Sequence, residues 1–203
     1  MMTRKNVLYA PGLRQDYVIL NAFREQLKSW GYIFNYIDFI YDEGDFTPQF
    51  YNCITDNTSE WWIGISLGAS VLYYLYNFAA VKPIRITIIN PFSDRKQLSI
   101  EKGFDLSNQW NFAPKSAEIN VKHIDLVTSV YDKSISMYHG IELLNKAKAD
   151  TKNVIFVDAD HRVSCIKVQK ELAKCLHDMG NVRGKINDGY MYCNIYQWKR
   201  NIF

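Results

Sequence analysis

With 203 residues and a formal net charge of +3, the chain is long enough to bury a hydrophobic core and too weakly charged to indicate attraction to nucleic acid or a membrane surface. Its four cysteines show neither a C-x-x-C pair nor a zinc-ligand spacing, so we expect reduced thiols. We also expect no metal and no cofactor. No apolar run reaches membrane-spanning length, and the first strand begins too early for a signal peptide. We therefore expect one soluble, cytoplasmic domain over residues 1–203.

Strands and helices alternate along the first half of the chain. Apolar residues at Phe23, Leu27 and Trp30 follow a helical spacing, whereas Ile84–Ile89 is so rich in β-branched residues that it predicts a strand buried on both faces. The predicted elements are a strand at 6–10, a helix at 18–30, a strand at 32–39, a short helix at 48–54, a strand at 61–65, a helix from 67 onwards and a strand at 84–89.

The second half continues the alternation after an irregular segment. Residues 90–122 show no clear periodicity, and we expect them to form a short cap over a site. Beyond them we predict a strand at 124–130, a helix at 137–148, a strand at 153–157 and a helix at 165–179. The aromatic and basic tail, residues 181–203, has no pattern that assigns a role, although it allows a homo-oligomer. Such alternation predicts an α/β protein with a mostly parallel sheet and helices on both faces.

The turn after the third strand carries the most specific motif. Residues Gly64–Gly68 read G-x-S-x-G, the pattern of a nucleophile elbow that holds a serine at a sharp strand-to-helix turn. Gly64 and Gly68 lack a Cβ, so the strand and the helix can approach closely on either side of Ser66. The same five letters also occur by chance in an ordinary glycine-serine turn, and the strand before and helix after them favour the elbow.

An acid and a histidine follow two later strands. Asp132 comes after the fifth predicted strand and His161 after the sixth, so the chain order is Ser, Asp, His. The segment between them can hold a helix of about twelve residues, about 18 Å long, and a returning strand of about five, about 17 Å long. Both residues are therefore expected at the same sheet edge as Ser66. Asp132 could instead be an ordinary turn acid, in which case Asp94, after the fourth strand, is the substitute.

In these features the chain resembles a compact α/β-hydrolase fold protein over roughly residues 5–179. Asp132 followed by Ile135, and Ala159-Asp160-His161, are similar to the acid and histidine loops of that family. The resemblance implies a minimal fold that lacks the family's leading antiparallel hairpin, with six mostly parallel strands in the order 2-1-3-4-5-6. The loop after the first strand reads Pro11-Gly12 where the family usually has His-Gly.

The resemblance also implies an oxyanion hole, and other residues are candidates for binding the substrate. The backbone N–H groups of Leu13 and Leu67 would form the oxyanion hole. Arg14 could meet a substrate carboxylate or phosphate, although an exposed loop arginine needs no such role. Trp110 and Phe112, with Phe92, would line an acyl pocket or pack inward to anchor a long loop.

Two functions are consistent with these residues. The first is a serine hydrolase that cleaves a small-molecule ester, thioester or amide, with Ser66 as nucleophile, His161 as base and Asp132 orienting it. The second is a non-catalytic binding or assembly module that keeps the fold. Nucleotide binding is weakly indicated, because neither G-x-x-x-x-G-K-[ST] nor G-x-G-x-x-G is present.

Overall fold

The computed structural model describes residues 5–12, 19–37, 54, 57–103, 114–181 and 190–195. Within them, seven strands form one parallel sheet: β1 (Lys5–Ala10), β2 (Tyr32–Tyr36), β3 (Trp61–Ile65), β4 (Arg85–Ile89), β5 (Asn120–Ser129), β6 (Lys148–Val157) and β7 (Tyr190–Ile195). The helices are α1 (Asn21–Ser29), α2 (Leu67–Leu75), α3 (Arg95–Lys102), α4 (Met137–Lys146) and α5 (Ile166–Asn181). Short 3-10 turns lie at Tyr76–Phe78 and Pro114–Ser116.

The sheet order is β2-β1-β3-β4-β5-β6-β7. The predicted order 2-1-3-4-5-6 is thus confirmed for the first six strands, and β7 extends the sheet by one. This strand comes from the aromatic and basic tail, and it pairs with β6 from Lys152 opposite Tyr190 to Val157 opposite Ile195. Part of the tail therefore belongs to the sheet, a role that its sequence pattern did not indicate.

Helices cover both faces of the sheet, as the alternation predicted. On one face, α1 and α5 pack over a cluster that includes Phe23, Leu27 and Leu172. On the other face, α2 and α4 contribute Leu72 and Leu143 to the second cluster. All five residues of β3 and all five of β4 are buried, because each of these strands lies inside the sheet between two layers of helices.

Two strands begin several residues earlier than predicted. β5 begins at Asn120 and β6 at Lys148, and these two starting segments pair with each other before β4 joins the ladder at Arg85, opposite His123. The sequence does not predict the extensions as strand because they are rich in polar residues, among them the exposed Asn120, Lys122 and Lys148. Because β6 begins at Lys148, α4 ends at Lys146, two residues earlier than predicted.

The predicted cap contains a helix that its sequence did not reveal. Residues 95–102 form α3, which begins where the Asp94 carboxylate accepts hydrogen bonds from the backbone N–H groups of Lys96 and Gln97. Leu98 is the one buried residue of this helix, so it has no apolar stripe to predict it. Residues 104–113 lie outside the described part, as does the helix predicted at 48–54 except for Ile54. Among the described helices, none is both long and apolar enough to cross a membrane.

Candidate active site

Ser66 lies at the sharp turn between β3 and α2. Its backbone φ is 54° and its ψ is −124°, outside the regions that a residue with a side chain normally adopts. Such a conformation costs on the order of 1–3 kcal/mol, so the surrounding structure must hold it. The Ser66 N–H donates to Ile89 O at 2.8 Å, and the Ser70 N–H donates to Ser66 O at 3.2 Å. The turn is therefore fixed by its backbone on both sides of the serine.

The two glycines of the motif permit contacts between backbone segments. A Cβ on Gly64 would lie 2.5 Å from Ala69 Cα, in the first turn of α2. A Cβ on Gly68 would lie 2.3 Å from both Ala10 O, at the end of β1, and Pro11 O, in the loop that follows it. Neither position can accept a side chain without a backbone shift. The close approach predicted for these glycines is confirmed, and Gly68 also brings the loop after β1 against the start of α2.

His161 reaches Ser66 from the loop after β6. Its Nε2 lies 2.9 Å from Ser66 Oγ, and its Nδ1 lies 2.7 Å from Asp132 Oδ2. The loop is tightly turned, since Val163 is buried with φ of 51°, an unusual value for a β-branched residue. Asp160 supports the turn by accepting hydrogen bonds from the backbone N–H and the hydroxyl of Ser164 at 2.9 and 2.7 Å. Asp160 thus acts as a turn residue.

Asp132 is held by its own loop. Its Oδ1 accepts hydrogen bonds from the backbone N–H groups of Ser134 at 2.7 Å and Ile135 at 2.9 Å, while Oδ2 faces the imidazole. Ile135 is buried, which fixes the far end of this turn. The Tyr131 N–H donates to Ala159 O at 3.1 Å, so the acid loop is also tied to the histidine loop. With its side chain only 5% exposed, Asp132 has no alternative orientation in open solvent.

The hydrogen bonds define one protonation pattern for these three side chains. An ionised carboxylate can only accept, so the neutral His161 ring carries its proton on Nδ1 and donates it to Asp132. Nε2 then has a lone pair and accepts the hydrogen bond of the Ser66 hydroxyl. The arrangement can therefore remove a proton from the serine and hold the positive charge that results.

Asp94, the alternative acid, lies elsewhere. Besides beginning α3, its carboxylate forms an ion pair with Lys115. Burial would raise the pKa of Asp94, but the Lys115 ammonium and the two backbone N–H groups at the start of α3 outweigh burial and lower it. The structure thus brings Asp132, and not Asp94, to the imidazole of His161.

A second serine and histidine also meet, on the α2/α4 side of the sheet. Ser93 Oγ lies 2.9 Å from His139 Nδ1 and donates to the Glu142 carboxylate. Ser93 is 0% and His139 1% exposed, so no substrate could reach this hydroxyl. The pair links the loop after β4 to α4 and is a packing feature.

Of the predicted oxyanion-hole residues, the structure describes only Leu67. It is the first residue of α2, and the N–H groups of a helix's first turn have no partner within the helix. Leu13, Arg14, Trp110 and Phe112 lie outside the described residues. Phe92 is 1% exposed and belongs to the hydrophobic core, so for this residue the inward-packing alternative is correct.

A cavity of about 680 Å³ lies beside the acid loop. Its lining includes Asp132, Lys102, Lys133 and Phe156, but neither Ser66 nor His161. It therefore does not serve as the binding pocket at the serine.

Two buried amides in this region had not been singled out from the sequence. Asn90 lies 4% exposed at the end of β4, where it donates to His161 O at 2.9 Å. Gln169 of α5 donates to Val163 O at 2.8 Å and accepts from the Ala22 N–H at 3.1 Å, in the first turn of α1. An amide at the end of a strand or on a helix usually indicates a turn or a surface, and only the distant partners of these two reveal their role.

No protein-family model matches this sequence, and no curated protein matches it at a significant level. The fold is nevertheless similar to many solved structures. Alpha/beta hydrolase domain-containing protein 10 from mouse aligns with 87% of this chain and 89% of its own, at 15% identity and a TM-score of 0.67. An esterase domain from a Rhodothermus marinus protein aligns over 87% and 85%, at 13% identity and a TM-score of 0.62. The enol-lactonase from Burkholderia xenovorans LB400 aligns over 89% and 92%, at 11% identity and a TM-score of 0.65.

These likenesses, together with the parallel sheet and its order, show that the chain has an α/β-hydrolase fold, as the sequence resemblance implied. Identities of this size show the fold alone, because one fold carries many different reactions.

Proposed function

We propose that the protein is a serine hydrolase that cleaves an ester, thioester or amide through an acyl-enzyme on Ser66. The observation that carries the proposal is the continuous chain of hydrogen bonds from Ser66 Oγ through His161 to Asp132, at 2.9 and 2.7 Å, next to a strained strand-to-helix turn. A buried carboxylate, an imidazole and a hydroxyl in this order activate the hydroxyl as a nucleophile. The esterase and lactonase among the similar structures support the same class of small-molecule substrate.

In the first half of the reaction, Ser66 Oγ attacks the carbonyl carbon while its proton passes to His161 Nε2. The carbonyl π pair moves onto oxygen, and the resulting oxyanion accepts hydrogen bonds from the backbone N–H groups of Leu67 and, in this proposal, Leu13. One such donor is worth about 2.7–4 kcal/mol in the transition state. The tetrahedral intermediate then breaks its bond to the leaving alcohol, thiol or amine, which takes the proton from His161.

In the second half, water attacks the acyl carbon and gives its proton to His161 Nε2. The new intermediate breaks the bond to Ser66 Oγ, the proton returns to the serine, and a carboxylic acid leaves. Asp132 keeps its charge throughout, because its role is to hold the tautomer of His161 and to stabilise the imidazolium.

The proposal extends to the residues around this centre. Arg14 would bind an anionic group of the substrate, and Trp110 and Phe112 would line the acyl pocket on the proposed cap. The alternative function, a non-catalytic binding module, would keep the same fold without turnover.

A fluorophosphonate probe separates the two functions. We expect the native protein to gain the mass of one phosphonyl group, mapped to the peptide that contains Ser66, and to hydrolyse p-nitrophenyl acetate. Ser66→Ala should abolish labelling and lower turnover by about 10⁴- to 10⁶-fold, since nucleophile and base act as a unit. Ser29→Ala, which changes an exposed serine at the end of α1, is the matched control and should label normally. A folded native protein that neither labels nor hydrolyses esters would support the binding module instead.

A further inference from the structure

Asn90 occupies a demanding position directly after β4. Its φ is 48°, in the left-handed region that asparagine and glycine adopt more readily than other residues. Its N–H donates to Val127 O at 2.9 Å, which extends the ladder between β4 and β5 by one residue. The backbone at this point is therefore fixed, and the side chain leaves it in a fixed direction.

The side-chain amide of Asn90 makes three hydrogen bonds in a buried setting. Oδ1 accepts the backbone N–H of Ser129 at 2.8 Å, while Nδ2 donates to Ser129 Oγ at 2.8 Å and to His161 O at 2.9 Å. A backbone N–H can only donate and a carbonyl can only accept, so these partners determine which way the amide points. Among the amino acids, only asparagine both tolerates the left-handed backbone and places one acceptor and two donors at this distance from its own backbone. Aspartate would have the same shape but no donor for His161 O.

Asn90 contacts the backbone carbonyl of His161, the residue whose ring meets Ser66 and Asp132. Its carbonyl is fixed by Asn90, and two residues later Val163 O is fixed by Gln169. These bonds restrain the backbone of the histidine loop against the ends of β4 and β5 and against α5. Without them, fewer contacts would hold the backbone of His161 while its ring meets Ser66 and Asp132.

We infer that Asn90 is a positioning residue for His161, which it holds through the backbone carbonyl so that the ring keeps Nδ1 on Asp132 and Nε2 on Ser66. The inference rests on the proposed function for its catalytic consequence, but its geometric content does not depend on catalysis. A ring displaced by about 1 Å can lose about 10²-fold in rate. We therefore expect Asn90 to affect turnover and the tautomer of His161 together.

Asn90→Gly is the test variant, since glycine tolerates the positive φ and removes all three side-chain bonds. The matched control is Asn153→Ala, which removes another buried amide, 3% exposed, whose Nδ2 donates to Asp125 at 2.7 Å on the α1/α5 face of the sheet. Both variants should lose stability, so each is measured under conditions where circular dichroism shows it folded. Stability alone therefore cannot distinguish them.

Two readouts decide the inference. Long-range ¹H–¹⁵N spectra of the imidazole rings at mildly alkaline pH show which nitrogen of His161 carries the proton, with His161→Gln assigning the resonances. The native protein and Asn153→Ala should show the Nδ1–H tautomer, whereas Asn90→Gly should show a mixture containing the Nε2–H form. Turnover of p-nitrophenyl acetate should fall about ten- to hundredfold in Asn90→Gly with KM little changed, and stay near native in Asn153→Ala.

The outcomes separate this inference from the proposed function. If the native protein neither labels nor turns over substrate, the proposed function fails, and the tautomer spectra still test the role of Asn90. If Asn90→Gly does not fold, Asn90→Asp replaces it, because the carboxylate keeps the acceptor for the Ser129 N–H and loses both donors. A native-like Nδ1–H tautomer in the folded variant, or native protein without that tautomer, would overturn the inference.

Discussion

Replacing Gly68 with alanine places a methyl group where the start of α2 meets the loop after β1. The new Cβ would lie 2.3 Å from the carbonyl oxygens of Ala10 and Pro11, whereas ordinary van der Waals contact begins near 3.4 Å. The helix start and the loop must therefore separate by about 1 Å, since both sides of the contact are backbone. Overpacking of this kind costs about 1–3 kcal/mol, partly offset by the roughly 1 kcal/mol by which alanine favours a helix over glycine.

The rate should suffer more than the stability. Leu67, the proposed oxyanion donor, is the residue directly before Gly68, so the same shift misplaces its N–H, and we expect esterase turnover to fall about 10²-fold. Stability is measured by urea unfolding and the rate by fluorophosphonate labelling and p-nitrophenyl acetate hydrolysis. Gly140→Ala is the control, because its Cβ would meet the end of the Leu126 side chain at 2.5 Å and not backbone, and this contact lies in the fold's α4 layer and not at the turn that holds Ser66. Equal labelling rates for the two variants would refute the argument that Gly68 sets the geometry at Ser66.

The remaining predictions concern the acid and the response to pH. Asp132→Asn should lower turnover by about 10²- to 10⁴-fold by favouring the wrong tautomer of His161, whereas Asp94→Asn should leave turnover near native; the reverse result in a steady-state assay would move the acid to Asp94. Burial, followed by the charge of Lys5, lowers the pKa of His177 below its usual 6.5, so the folded state binds fewer protons than the unfolded chain. The contribution of His177 to stability is full above about pH 6.5 and is lost as the pH falls towards its pKa in the folded state. His177→Gln should therefore reduce the change in the urea midpoint between pH 7.5 and 5.5. If the urea midpoint of His177→Gln changes with pH as much as that of the native protein, His177 is not the cause of this pH dependence.

The sequence predicted the fold where local patterns and burial agree. β3 and β4 are buried on both faces, so the apolar run of β3 and the β-branched residues of β4 identify them, and the glycines around Ser66 identify the turn between strand and helix. The positions of Asp132 and His161 followed from the rule that parallel strands end at one edge. The structure brings both within hydrogen-bond distance of their partners, while their catalytic roles remain predictions.

The features that escaped prediction depend on distant partners. α3 has one buried residue, Leu98, and therefore no periodicity to read. The early parts of β5 and β6 are polar because they pair with each other beyond the rest of the sheet. Asn90 followed by a proline resembles a simple turn, and its three hydrogen bonds to Ser129 and His161 join residues far apart in sequence. No window of local sequence contains both ends of such contacts.

The pairing of β7 with β6 determines which backbone groups a shortened protein would expose. Within the described sheet, β6 is the sole strand partner of β7, so β7 can detach without breaking any other strand pair. Its departure would expose the row of N–H and C=O groups from Lys152 to Val157, and an uncovered edge of this kind is a template for a strand from another molecule. Shortening the protein before Tyr190 is therefore expected to make β6 the edge of the sheet and to leave the backbone groups of Lys152–Val157 open to pairing, even if the remaining six strands stay folded.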